Sequence, residues 1–207
     1  YRYYGEDLDL FDLIDEIPTL DTGGTLAVTL GTHALKKGYS ATIFTYNLQV
    51  FDPVWFKGDV DIRQKLQQQL EYKKAPKLQW ATQSYLRFLE LGGKITMDEL
   101  DEHLVRSYFD RQVPLLTGLS ATYLYRTPRE FENNFDDIRG LPAGHFVVLY
   151  GYDKETQKIQ IADPLLSNPI SGSNQYSVSV DRLINSIMLG IVTYDANLLA
   201  IEKKEKK

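Results

Sequence analysis

Cysteine is missing from all 207 residues, so the chain forms no disulfide and offers no thiolate to a metal ion or to covalent chemistry. Histidine is nearly as scarce. The three present, His33, His103 and His145, show no His-x-x-x-His spacing, which leaves zinc without a ligand set; no metal and no cofactor is expected. No apolar run approaches the ~20 residues that span a bilayer, and no signal-peptide pattern opens the chain. Lys and Arg number 23 against 28 Asp and Glu, a formal net charge of -5, with a pI near 5.3. A nucleic-acid surface would have to be built against that field, so no nucleic-acid partner is expected. These absences point to a soluble protein without a membrane span, the cytoplasm being favoured, with oligomeric state left open.

What is present is the composition of an ordinary globular domain, 43% hydrophobic and 25% charged. The length suits one domain, placed at residues 1–200, with the lysine-rich 201–207 as a charged, solvated tail. Tyr1-Arg2-Tyr3-Tyr4-Gly5 reads as the end of a helix that begins upstream. Apolar residues from Leu8 to Ile17 recur at helical spacing until Pro18, and a second helix follows Asp21-Thr22-Gly23-Gly24, with Leu26, Leu30 and Ala34 on one stripe and Gly38 as its stop.

Tyr39 to Tyr46 has the β-branched and aromatic content of a core strand. Phe51, Trp55 and Phe56 in the connector that follows suit either a lid or rings that anchor the loop to the core. Helices are expected at Val60–Tyr72 and Pro76–Leu91, a short strand at Lys94–Ile95, and a further helix opened by a capping box at Thr96-Met97-Asp98-Glu99. Strands follow at Val113–Tyr125, Phe146–Tyr152, Lys158–Ala162 and Leu189–Tyr194, with a short helix and a loop across Arg126–Ala143. Helices first and sheet second predict an α+β fold, a helical N-terminal half packed on a mainly antiparallel sheet.

Chemistry concentrates in GHFVVLYGYDKETQKIQIADP. His145 opens a hydrophobic strand, and Asp163 closes the next one immediately before Pro164. Whether the two meet depends on hairpin register. Pairing Tyr152 with Lys158 around a five-residue loop sets Asp163 opposite Val147, diagonal to His145 and about 7 Å away on the same face. Pairing Asp153 with Lys158 around a four-residue loop puts them on opposite faces. On a shared face, Asp163 would fix the imidazole tautomer and leave the other nitrogen of His145 to take a proton. The competing reading is a solvated His beside an Asp that caps the Asp-Pro turn.

The segments GHFVVLYGYD and IADP resemble the His and Asp segments of papain-like cysteine peptidases of the bacteriocin-processing, double-glycine-leader type. YRYYGEDL and GGTLAVTLGTHALKKGYSATIFTYNLQVFDPVWF are similar to the portion after the nucleophile helix in bacterial relatives of that family. The resemblance implies a papain-like fold, with His145 as general base and Asp163 as its orienting partner, acting on a peptide or amide bond of a peptide or protein substrate. It also implies a Cys that opens the first long helix in a Cys-Gly-Pro-type motif, with a Gln just upstream. Neither is present, so the Cys is expected ahead of Tyr1, and the chain as written is expected to be inactive by that mechanism. The alternative is a noncatalytic peptide-binding module of the same fold. Thr117, Ser120 and Thr122 lack any Gly-x-Ser-x-Gly context for a hydroxyl nucleophile. His33 and His103 flank helical apolar stripes and read as partly buried helix residues.

Overall fold

The computed structural model describes residues 1–19 and 24–204. Asp21, Thr22 and Gly23, expected to lead into the second helix, and Glu205 to Lys207 of the expected tail lie outside the described residues. The remainder is a mixed α/β structure built on one seven-stranded sheet. Its elements in chain order are α1 (Leu10–Glu16), α2 (Ala27–Lys36), β1 (Tyr39–Thr45), α3 (Ile62–Tyr72), α4 (Pro76–Glu90), β2 (Lys94–Thr96) and α5 (Glu102–Asp110). There follow β3 (Leu115–Ser120), α6 (Ala121–Tyr125), β4 (Glu130–Phe131), β5 (Asn134–Phe135), β6 (Gly144–Asp153), β7 (Lys158–Ala162), β8 (Gln175–Ser179), α7 (Val180–Leu189) and β9 (Asn197–Lys203). The large sheet runs β2-β1-β9-β3-β6-β7-β8, and every pairing is antiparallel except β1 with β2.

Period-2 alternation decides which side of the sheet each residue serves. Ile43 faces a core with Val28, Leu66, Tyr85 and Phe88 of the helices α2, α3 and α4. Its neighbour Phe44 faces the other core, with Leu115, Leu119, Val147, Leu149, Ile159 and Ile161 and with Leu183 and Ile187 of α7. Both faces are therefore covered, and the strands carry apolar residues at successive positions, as Leu198 and Leu199 do in β9. Phe51 is buried and its ring meets Tyr85 at 4.8 Å between centroids, while Trp55 and Phe56 pack on the same cluster. Of the two readings of that loop, the anchor holds: these rings fasten it to the core.

Several expected elements are displaced, each by a local competitor. The box at Thr96–Glu99 does not cap a helix. Thr96 is the last rung of β2 opposite Phe44, its hydroxyl donates to Asp98, and α5 is capped by Asp101, whose carboxylate accepts from the Leu104 amide. The strand expected to continue to Tyr125 stops at Ser120, because the Ser120 hydroxyl accepts from the Tyr123 amide and starts α6. Leu189–Tyr194 is not a strand: Leu189 ends α7, Gly190–Thr193 is a 3-10 turn, and the last strand is β9. Ile201, Glu202 and Lys203, assigned to the tail, are rungs of β9 paired with Ala41, Ser40 and Tyr39. Arg126–Ala143 holds the small β4–β5 ribbon instead of a helix. Tyr1–Gly5 is a single 3-10 turn, Arg2–Tyr4, closed by Gly5 at φ 79°. No described helix is long and apolar enough to cross a membrane.

Candidate functional site

The hairpin that carries the two expected site residues contains an unforeseen device. It closes around the four-residue loop in the register that separates them: Asp153 pairs with Lys158, Tyr152 with Ile159 and Gly151 with Gln160. Between Gly151 and Leu149 the register then shifts, leaving Tyr150 as an extra residue on β6. Beyond this bulge Leu149 pairs with Ile161 and Val148 with Ala162, which sets Asp163 opposite Val147. Side-chain alternation thereafter places His145, Val147 and Leu149 on one face with Ile159, Ile161 and Asp163. Burial explains the shift, because Val147, Leu149, Ile159 and Ile161 all belong to the same core and only this phase buries the four together.

His145 Nε2 lies 2.8 Å from Asp163 Oδ1 and donates to it. Asp163 has a fully buried side chain, whereas that of His145 keeps 24% exposure. The carboxylate is held from four directions. Oδ1 also accepts from the Leu165 amide at 2.8 Å, an Asx turn favoured by Pro164. Oδ2 accepts from the hydroxyls of Tyr125 on α6 and Tyr176 on β8, both at 2.7 Å. Burial by itself would raise the carboxyl pKa. Hydrogen bonds from His145, Tyr125, Tyr176 and the Leu165 amide outweigh it and hold Asp163 below its ordinary value. Burial, and next the hydrogen bond to Asp163, push both tyrosines well above the usual phenol range, so they remain donors.

With Nε2 spent on Asp163, Nδ1 has no hydrogen-bond partner among the described residues. His145 lines a pocket of about 210 Å³ together with Gly144 and Phe146 of β6, Gly24, Thr25 and Leu26 at the start of α2, Lys77 of α4, and Thr193 and Asp195 from the segment before β9. The helix start that shares this pocket is that of α2. Tyr1, the N-cap of the 3-10 turn Arg2–Tyr4, packs against a later part of α2, its hydroxyl 2.5 Å from His33 Nδ1, and does not line this pocket. No described side chain caps α2, whose N-cap is Leu26, so its first amides carry positive partial charge toward the pocket without a side-chain acceptor among the described residues.

The hydroxyls of the β3 region serve structure. Thr117 donates to the Asn197 carbonyl at 2.7 Å, Ser120 caps α6, and Thr122 accepts from the Ala143 amide. His33 is buried as expected, with Nε2 donating to Glu16 at 2.8 Å; His103 is exposed, contrary to the expectation of partial burial. Among the described residues no group of three or more His, Cys, Asp or Glu is arranged to hold a metal ion. Tyr125, Tyr176, Thr25, Lys77 and Asp195 were not singled out from the sequence. Each comes from a segment distant from His145, and none sits in a pattern that local spacing marks.

No protein-family model matches the chain, and no curated protein matches it. Among solved structures, the chain is similar to a crystal structure from Bacillus anthracis provisionally assigned as a C39-like peptidase, at 18% identity and a TM-score of 0.30. The match covers 50% of this chain and spans 48% of the length of that one. So loose a superposition leaves the architecture to be judged by its own strand order and the site by its own geometry.

Proposed function

We propose that this chain is a peptidase-like domain that holds a peptide in the pocket between the start of α2 and His145, and that it binds without cutting. The observation that carries this reading is the pocket itself: an oriented imidazole faces a helix start that no described side chain caps, and the residue just ahead of the Leu26 N-cap is Thr25, which carries a hydroxyl and not a thiol. The pair His145 and Asp163 is of the kind that serves nucleophilic hydrolysis, since a carboxylate fixes one imidazole nitrogen and leaves the other for a proton. The helix start is suited to the oxygen of a peptide carbonyl, through amide donors and the positive end of the helix. A threonine hydroxyl at its ordinary pKa is a weak nucleophile, so a peptide seated here is bound and released intact. A noncatalytic, peptide-binding relative of the bacteriocin-processing type is the finer form of this reading.

One observation favours a second reading, hydrolysis with a nucleophile supplied from outside this sequence: the unengaged Nδ1 of His145 is poised to take a proton. One experiment separates the two. Incubating the chain with a degenerate mixture of octapeptides, followed by filtration and mass spectrometry, is expected to show retention of intact peptides with no new termini. New termini that vanish in His145→Ala would establish hydrolysis; a mixture neither retained nor cleaved would overturn both readings.

A further inference from the structure

The pocket contains a second carboxylate whose surroundings differ from those of Asp163 in every respect. Asp195 stands between the 3-10 turn Gly190–Thr193 and β9, and is only 5% exposed. Its flanking residues, Tyr194 at φ 70° and Ala196 at φ 63°, are both left-handed without being glycine, a backbone that L-residues adopt only at a cost. Three glycines from three segments make room for the side chain. A Cβ on Gly118 of β3 would stand 2.6 Å from Asp195 Oδ1, and one on Gly190 3.1 Å from Asp195 Cβ. A Cβ on Gly144 of β6 would overlap Oδ2.

For all this accommodation, the carboxylate has little to hold. Oδ2 accepts from the Thr193 hydroxyl at 2.6 Å, and Oδ1 has no donor among the described residues. No Lys, Arg or His among the described residues forms an ion pair with it. Lys77, the cation in the same pocket, gives its ammonium to the Thr193 carbonyl at 3.3 Å and lies 4.5 Å from the centre of the Tyr194 ring. A buried carboxylate with one hydroxyl for a partner is an unfavourable arrangement unless something else meets it.

We propose that Asp195 is the recognition group of this pocket and pairs with an alkylammonium of the bound ligand, either the free N-terminus of a peptide or a lysine side chain. This rests on the peptide-binding reading and narrows it to a ligand class. Chemistry supports the assignment. Burial pushes the Asp195 carboxyl up to about 7, opposed by the Thr193 hydroxyl and the charge of Lys77. The titratable groups around it are Lys77, the His145 that shares the pocket, and Tyr85 packed from α4. A ligand ammonium would supply the missing counter-charge, so binding should strengthen as pH rises through about 7 and the carboxylate ionises.

The test is a titration of the full chain at pH 8, following the backbone amide resonances of Gly118, Gly144 and Gly190, with three probes: glycylglycine amide, its N-acetyl derivative, and n-butylammonium. Glycylglycine amide is expected to shift all three glycines and to bind about tenfold more tightly than the acetylated form, the worth of one charge-assisted pair. Asp195→Asn, which keeps the side chain's shape, is expected to lose that preference. Comparable binding of n-butylammonium would assign the source as a lysine side chain; its failure beside glycylglycine amide would assign the peptide N-terminus. Equal binding of free and acetylated peptide, or a preference that survives in Asp195→Asn, would overturn the proposal while leaving the peptide pocket standing. No shift with any probe would overturn both.

Discussion

Asp163 and Asp195 are both buried and lie near one imidazole, yet their surroundings drive them in opposite directions, the pattern by which one site obtains two carboxyl groups with different work to do. Asp163 accepts four hydrogen bonds and stays ionised. Its depressed pKa means that its contribution to stability is fully present above the ordinary carboxylate range and is lost as pH falls through its folded value. Tyr176→Phe removes one of its donors. It is expected to cost about 1–2 kcal/mol near pH 7, measured by urea unfolding, and to raise the pH at which acid unfolding begins. Asp195 has the opposite sign. Between the ordinary carboxylate range and about 7 the folded chain binds a proton that the unfolded chain has released, so stability falls as pH rises across that window. Asp195→Asn is therefore expected to stabilise the protein at pH 8, by on the order of 3 kcal/mol, and to have little effect at pH 4. Equal effects at the two pH values would show that Asp195 is not a destabilising carboxylate.

The element that matters most is the β6–β7 hairpin, where the bulge at Tyr150 reconciles a turn of one register with a core of the other. Because Tyr150 is the unpaired residue and is 41% exposed, deleting it would leave every pair on either side of it intact. The deletion is expected to preserve the His145–Asp163 bond, seen as a slowly exchanging imidazole N–H resonance, whereas deletion of Val148, between bulge and site, is expected to abolish it. This hairpin also shows how far the sequence could be read. Both strands, the positions of His145 and Asp163, and the dependence of their meeting on register were legible, because periodicity and Pro164 are local signals. The bulge was not, because nothing local distinguishes Tyr150 from its neighbours; it follows from the demand to bury Val147, Leu149, Ile159 and Ile161 together. The same limit applies at Thr96, where a local capping pattern gave way to pairing with Phe44, a strand partner far away in the chain. The tyrosines that hold Asp163 were likewise beyond reach, since only the completed sheet and α6 bring positions 125 and 176 to position 163.

At the scale of the whole molecule, the mixed α/β character and the mainly antiparallel sheet follow from the patterns. The order of helices first and sheet second does not hold: β1 and β2 of the N-terminal half are strands of the large sheet, and α7, which carried no expectation, covers a second face. The single sheet couples the two cores: Ile43 and Phe44 serve opposite faces of one strand. Unfolding is accordingly expected to be one transition, with fluorescence of Trp55 and Trp80, both on the α2–α4 side, coinciding with circular dichroism. Leu183→Ala, on the far face, should move that fluorescence transition by about 2–5 kcal/mol, and an unmoved tryptophan signal would mean that the layers unfold separately. The sheet also brings the start of α2 to the start of β6, and on that meeting the functional reading depends. Its most direct test is the reactivity of a thiol placed there by Thr25→Cys, followed as the pH dependence of iodoacetamide alkylation, with and without His145→Ala. If the pocket is a cysteine-hydrolase type of site lacking its thiol, the new cysteine will titrate well below the ordinary value of about 8.5, and will move back toward it when His145 is removed. A thiol that titrates near 8.5 in both backgrounds would contradict the account.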